Sequence, residues 1–159
     1  MKGIQHINLD GEGLKICVIH TRWNMDIVTN LVHECEKTLI SHGVDPKNIT
    51  ILDVPGAFEL PYAAKQVLNS GYCYNAIICI GCLIKGETMH FEYISEAVSK
   101  GIMDINLNSK IPIIFGVLTC LTEEQAWARA GLQEGSHNHG YDWALASIEM
   151  GKFNEKMIK

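Results

Sequence analysis

Charge is scarce in this sequence. Asp, Glu, Lys and Arg make up 19% of 159 residues, and no Lys/Arg cluster interrupts a net charge of −5. A nucleic-acid partner, which needs a basic patch for the phosphate backbone, is not expected. Long apolar runs are also missing. The longest nearly apolar one, Ala76 to Ile84, is about half of a membrane span, so no membrane partner is expected. The opening Met1-Lys2-Gly3-Ile4-Gln5-His6 has no apolar h-region, which points to a soluble, cytoplasmic chain. There is no repeat, low-complexity stretch or internal linker, and no Gly-x-Gly-x-x-Gly follows a strand-like run.

Cysteine is present but not in a useful pattern. Cys17, Cys35, Cys73, Cys79, Cys82 and Cys120 are scattered, mostly within apolar runs, and read as small buried hydrophobes. Cys79-Ile80-Gly81-Cys82 has a redox-like spacing. In a strand, however, positions i and i+3 point to opposite faces, whereas a redox pair needs the start of a helix. A zinc site joining this pair to His137 and His139 meets the same difficulty, so no metal is expected.

What the sequence does hold is 47% hydrophobic residues in a chain long enough to bury a core. Four runs read as strands: Leu14 to Thr21, Ile49 to Val54, Asn75 to Ile84, and Ile111 to Leu118. Their continuous apolar character predicts strands covered on both faces of a parallel sheet. Helical patterns fall between them. Asn24 reads as an N-cap before the stripe Val28, Leu31, Val32, Cys35 and Leu39. Pro61 opens a second helix that stops near Gly71. Phe91, Ile94, Val98, Ile102 and Ile105 mark a third. Thr122-Glu123-Glu124-Gln125 has the form of a capping box for a short fourth, and the last begins near Tyr141. Strand and helix alternate, which predicts a three-layer α/β/α sandwich around a four-stranded parallel sheet. Residues 1–13 are expected to be loose or packed on a neighbouring subunit, and 14–159 to form a single domain.

Ligands of such sheets bind beyond the carboxyl ends of the strands. Those ends carry His20-Thr21-Arg22-Trp23-Asn24, then Val54 to Pro61, then Gly81 to His90, then Phe115 to Thr119. Gly81 and Gly86 have the spacing of a nucleotide-hydrolase phosphate loop, but Glu87 stands where that motif requires Lys. A glycine turn opening a helix still offers free N–H groups and the positive end of the dipole to an anion, although a plain tight turn explains it equally well. His90, in the first turn of that helix, is placed to move protons near neutral pH; a merely structural or exposed role is the alternative. Trp23 and Phe58 suit an aromatic slot for a flat heterocycle, or a cover for the core. Arg129 is an isolated cation, on a solvated helix surface unless an anion binds there.

Taken together, Pro55-Gly56-Ala57-Phe58-Glu59-Leu60-Pro61, Gly81-Cys82-Leu83-Ile84-Lys85-Gly86-Glu87-Thr88-Met89-His90-Phe91-Glu92, Glu124-Gln125-Ala126 with Arg129-Ala130-Gly131, and Asn138-His139-Gly140 resemble the lumazine synthases of riboflavin biosynthesis. The likeness covers roughly residues 14 to 152 and implies a flavodoxin-like fold. It implies a condensation of 5-amino-6-(D-ribitylamino)uracil with 3,4-dihydroxy-2-butanone 4-phosphate, through an imine, loss of phosphate and ring closure, with no cofactor. By the same resemblance His90 is the catalytic proton donor. Trp23, Ala57, Phe58, Glu59, Cys82, Leu83, Ile84 and Phe115 hold the pyrimidine and its ribityl chain, Phe115 acting in the adjacent subunit's site. Glu87, Thr88 and Arg129 hold phosphate, Glu87 through its backbone N–H.

His139 stands where many members have Lys, and with Trp23 it makes the chain look like the fungal type. The resemblance further implies sites between the identical subunits of a five-membered ring. Leu132 to His137 places six residues between Gly131 and Asn138 where shell-forming members typically have four, so a homopentamer rather than a shell is expected. A flavin-holding module without catalysis and a phosphate-binding regulatory domain are the competing readings of the same strand ends.

Overall fold

The computed structural model describes residues 9–157. Four parallel strands, β1 (Ile16–Thr21), β2 (Ile49–Val54), β3 (Ala76–Ile84) and β4 (Ile113–Cys120), form one sheet in the order β2-β1-β3-β4. The helices are α1 (Met25–Ser41), α2 (Leu60–Asn69), α3 (His90–Leu107), α4 (Glu123–Arg129) and α5 (Gly140–Met157).

The sheet separates two apolar clusters. On one side Ile16, Val18, Ile78, Ile80 and Cys82 meet Leu31 and Cys35 of α1 and Ala144 and Ile148 of α5. On the other, Cys17, Ile19, Ile77 and Cys79 meet Leu60 and Ala64 of α2 and Val98 and Ile102 of α3. Alternate residues of β1 and β3 enter opposite clusters, which is why these strands read as unbroken apolar runs. Cys79 and Cys82 fall in different clusters. All six cysteines are free, and burial pushes the Cys17, Cys35, Cys79 and Cys82 thiols up to about 12, so these four pack as inert side chains at neutral pH.

Expectations change for three strands. β1 begins at Ile16, two residues later than expected. Burial on both faces fails for β2: it is the sheet's outer strand, and Ile51 and Leu52 are exposed in the single chain. The fourth strand begins two residues later than predicted and extends through Cys120. Pro112 has no N–H for the ladder, and Leu83 and Ile84 supply register partners for Thr119 and Cys120. Of the first thirteen residues, 1–8 lie outside the described residues. Residues 9–13 run against the end of α1, where the Gly11 N–H donates to the His42 carbonyl and Leu9 packs on the core.

Candidate active site

The carboxyl edge of the sheet is uneven, and that unevenness makes the site. β1 pairs with β3 only as far as His20 opposite Ile80, whereas β3 continues to Ile84 paired with β4 alone. Backbone groups of alternate strand residues point alternately to the two sides. The Lys85 N–H donates to the Cys120 carbonyl on the β4 side, at 2.9 Å. Cys82 and Ile84 therefore turn toward the side that β1 has vacated. The loop after β1 enters this space. Asn24 has φ 55° and ψ 49°, the left-handed region in which Asn is among the few side chains tolerated. Its side chain does not cap α1 as predicted; Nδ2 donates to the Cys82 carbonyl at 2.9 Å. Sequence analysis missed this tether, for which an Asn beside an aromatic at a strand end was the available signal.

Trp23, one residue earlier, is 71% exposed. Its indole lies beside the loop after β2: a Cβ on Gly56 would stand 3.2 Å from Trp23 Cδ1 and 3.2 Å from Glu59 Oε2. Gly56 thus lets the indole and the Glu59 carboxylate approach one another over bare backbone. Arg22 pairs with Asp53, and its N–H donates to the Val54 and Pro55 carbonyls, binding the two loops together. Arg22 and Asp53 were also missed, since neither bears on the chemistry until the loops meet. Ala57 is buried and Phe58 is 59% exposed. Trp23, Ala57, Phe58, Glu59, Cys82, Leu83 and Ile84 therefore share one edge of the molecule.

The turn from β3 into α3 follows directly. Gly86, Glu87 and Thr88 are exposed, a Cβ on Gly86 would meet nothing within 4 Å, and the Thr88 hydroxyl accepts the His90 N–H at 3.4 Å. His90 is the first residue of an 18-residue helix and is exposed. Lys85 forms an ion pair with Glu92 of α3, across the turn.

Arg129 ends α4, which a capping contact starts: the Thr122 hydroxyl accepts the Gln125 N–H at 3.3 Å, while the Gln125 side chain accepts the Leu121 N–H rather than that of Thr122. Arg129 is exposed beyond the end of β4. Phe115 is not brought to this group. It lies on β4, at the opposite edge of the sheet from β2, and its register partner is Cys79, five residues short of the strand's end.

An exposed indole beside a carboxylate, an open strand edge and a glycine turn with a histidine at its helix start lie together here and raise the question of family. The family comparison decides it: residues 13–155 match the family model of 6,7-dimethyl-8-ribityllumazine synthase. The chain belongs to that family. It is similar to the 6,7-dimethyl-8-ribityllumazine synthase of Schizosaccharomyces pombe, at 49% identity over 95% of this chain and 94% of the relative. It is also similar to the enzyme of that name from Pyricularia oryzae, at 41% identity over 89% and 88% respectively. Lumazine synthases are transferases of riboflavin biosynthesis.

Proposed function

We propose that this chain condenses 5-amino-6-(D-ribitylamino)uracil with 3,4-dihydroxy-2-butanone 4-phosphate to give 6,7-dimethyl-8-ribityllumazine, phosphate and water. The observation that carries the reading is the joining of Trp23, Gly56 and Glu59 next to the strand edge at Cys82–Ile84, with the Gly86–Thr88 turn at its end. In this reading the pyrimidine stacks on Trp23, between Phe58 and the strand edge. The Cys82 and Ile84 backbone reads its polar rim, and Glu59 accepts hydrogen bonds from ribityl hydroxyls. The butanone phosphate is held by the Glu87 and Thr88 N–H groups at the start of α3 and by Arg129.

Holding both substrates in one slot makes attack of the amine on the ketone effectively unimolecular. His90 then moves the protons that imine formation and phosphate departure require. No helix among the described residues is long and apolar enough to cross a membrane, and cytoplasmic residence suits two water-soluble substrates.

Mixing the purified protein with both substrates and following lumazine absorbance tests the reaction. Two variants then separate the subsites. Trp23→Ala is expected to raise KM for the pyrimidine by about tenfold, with little change for the butanone phosphate, since stacking on an aromatic platform contributes ~1 kcal/mol or more. Arg129→Ala should do the reverse, and Lys should replace it poorly because the guanidinium binds phosphate through two parallel donors. Equal weakening of both substrates by either variant would assign that residue to the fold instead.

The site is proposed to be shared between subunits of a homopentamer. Trp23 and Phe58 stand toward the β2 edge, and Phe115 lies on the β4 edge, 40% exposed. A heterologous contact between these opposite edges would bring Phe115 of one subunit to the platform of the next, and a ring satisfies every such contact. The exposed Ile51 and Leu52 on one edge and Leu121 and Trp127 toward the other are apolar surface of the kind such contacts cover. The six-residue loop before Asn138 is folded on itself: the Leu132 N–H donates to the Trp127 carbonyl and the Ser136 N–H to that of Gln133. It therefore keeps its extra length at the surface, where ring-to-ring packing would need a shorter turn. Native mass spectrometry should show about five times 17.7 kDa. A megadalton particle or an active monomer would overturn the pentamer.

A further inference from the structure

The glycine turn between β3 and α3 has little of its own to hold it. Gly86, Glu87, Thr88 and Met89 are exposed, and a Cβ on Gly86 would meet nothing within 4 Å. Between Gly86 and His90, the contact from the His90 N–H to the Thr88 hydroxyl, at 3.4 Å, is the only hydrogen bond among the described residues. The two ends of the turn are fixed separately. On the strand side the Lys85 N–H donates to the Cys120 carbonyl at 2.9 Å, just past the last register pair of β3 and β4. On the helix side Ile94, Val98 and Ile102 pack α3 on the core.

One side-chain pair joins these ends. The Lys85 ammonium donates to Glu92 Oε1 at 2.5 Å, across the turn. Glu92 lies in the first turn of α3, where a carboxylate also suits the positive end of the helix dipole. Its other oxygen, Oε2, is buried without a partner among the described residues, as is the Ser95 hydroxyl one helical turn on. Lys85 is thus the cation on which this carboxylate depends, and its hydrogen bond holds the Glu92 carboxyl below the ordinary range.

We propose that Lys85 and Glu92 form a brace that keeps the 86–88 turn in the shape that presents its N–H groups to the phosphate of the butanone substrate. The inference rests on the reaction proposed above. Both are positioning residues: each acts on phosphate only through the turn between them. N–H groups that must converge on one anion lose that convergence when the ends of their loop drift. Joining the ends before the ligand arrives removes this ordering cost from binding. The pair also cancels charge, since an unpaired Glu92 would stand with Glu87 as a second carboxylate close to an arriving phosphate.

A double-mutant cycle tests the brace, read as KM for the butanone phosphate at saturating pyrimidine. Lys85→Ala and Glu92→Ala should each raise it by about three- to tenfold, the effect of losing one charge-assisted contact at partial exposure. The double variant should be no worse than Lys85→Ala alone, because a brace is lost only once. Lys85→Arg keeps the pair and should stay within about twofold of wild type, as should kcat and the pyrimidine KM of every variant. The Kd of inorganic phosphate, measured by calorimetry, should weaken by the same factors without any turnover.

Glu92→Ala is the deciding variant. If it lowers KM, Lys85 binds phosphate itself once released, and the brace is overturned. Losses that add in the double variant overturn it too. So does a fall in Tm with KM unchanged, which would make the pair a stabiliser of the fold alone. Should Lys85→Ala fail to fold, Glu92→Ala and Lys85→Arg decide it. Absence of lumazine in the wild type would overturn the proposed reaction, and the phosphate titration would still decide the brace.

Discussion

Replacing His90 with Ala is expected to lower kcat by about 10²-fold or more, the usual contribution of a placed proton-transfer group. KM for the pyrimidine should change little. The reason is positional: His90 is exposed at the first residue of α3, one turn from the groups proposed to hold phosphate and outside the Trp23–Gly56–Glu59 platform. Because its side chain supports no core contact, the variant should fold with unchanged circular dichroism and melting temperature. Steady-state kinetics with each substrate varied in turn are the measurement. A kcat within twofold of wild type across neutral pH would take His90 out of the mechanism.

The second large effect is on stability and falls on Gly140. Here the start of α5 crosses α1 so closely that a Cβ would stand 2.2 Å from the Leu31 carbonyl oxygen and 3.1 Å from the Cys35 N atom. Both contacts are to helix backbone, at the fully buried Leu31 and Cys35, and backbone cannot rotate aside as a side chain can. The same turn is pinned by the Asn138 side chain, which donates to the Asn30 carbonyl and accepts the Gly140 N–H. Gly140→Ala must therefore shift α5 bodily. We expect a loss of ~3 kcal/mol, at the upper end of overpacking costs. For a chain of this size that lowers Tm by about 6–12 °C, compared at equal protein concentration because assembly contributes to stability. A loss under about 1 kcal/mol would mean that α5 slides away freely.

Much of the architecture was legible locally. β1 and β3 are covered on both faces and so write themselves as continuous apolar runs, the first and third helices show apolar stripes, and the second its stop near Gly71. β2 is the exception that defines the rule. Its apolar residues predict burial, but Ile51 and Leu52 are exposed, because apolar character does not by itself tell an outer strand from an inner one. The site was legible by type more than by contact. Trp23, Phe58 and His90 could be picked out as chemistry at strand ends, and Glu59 through the resemblance alone. That the indole and the Glu59 carboxylate meet over Gly56 could not, because it depends on two loops separated by more than thirty residues.

Asn24 is the clearest instance of competition between levels. Locally it reads as a helix cap; in the fold its left-handed backbone frees the side chain to hold the Cys82 carbonyl, 58 residues away. On sequence, His137 and His139 are weighed as metal ligands and set aside; in the fold both approach Asp142, at the start of α5.

By itself, then, the sequence determined the alternation of strand and helix, the parallel sheet, the glycine turn opening α3 and the motifs of a lumazine synthase. These follow from periodicity, propensity and short spacings, which act between near neighbours. Tertiary structure alone decided which strand lies at the edge, how far β3 outruns β1 and which carbonyl Asn24 occupies. Those depend on the packing of distant segments, where fractions of an ångström in close contact, as at Gly140, select one arrangement among several that local preferences allow.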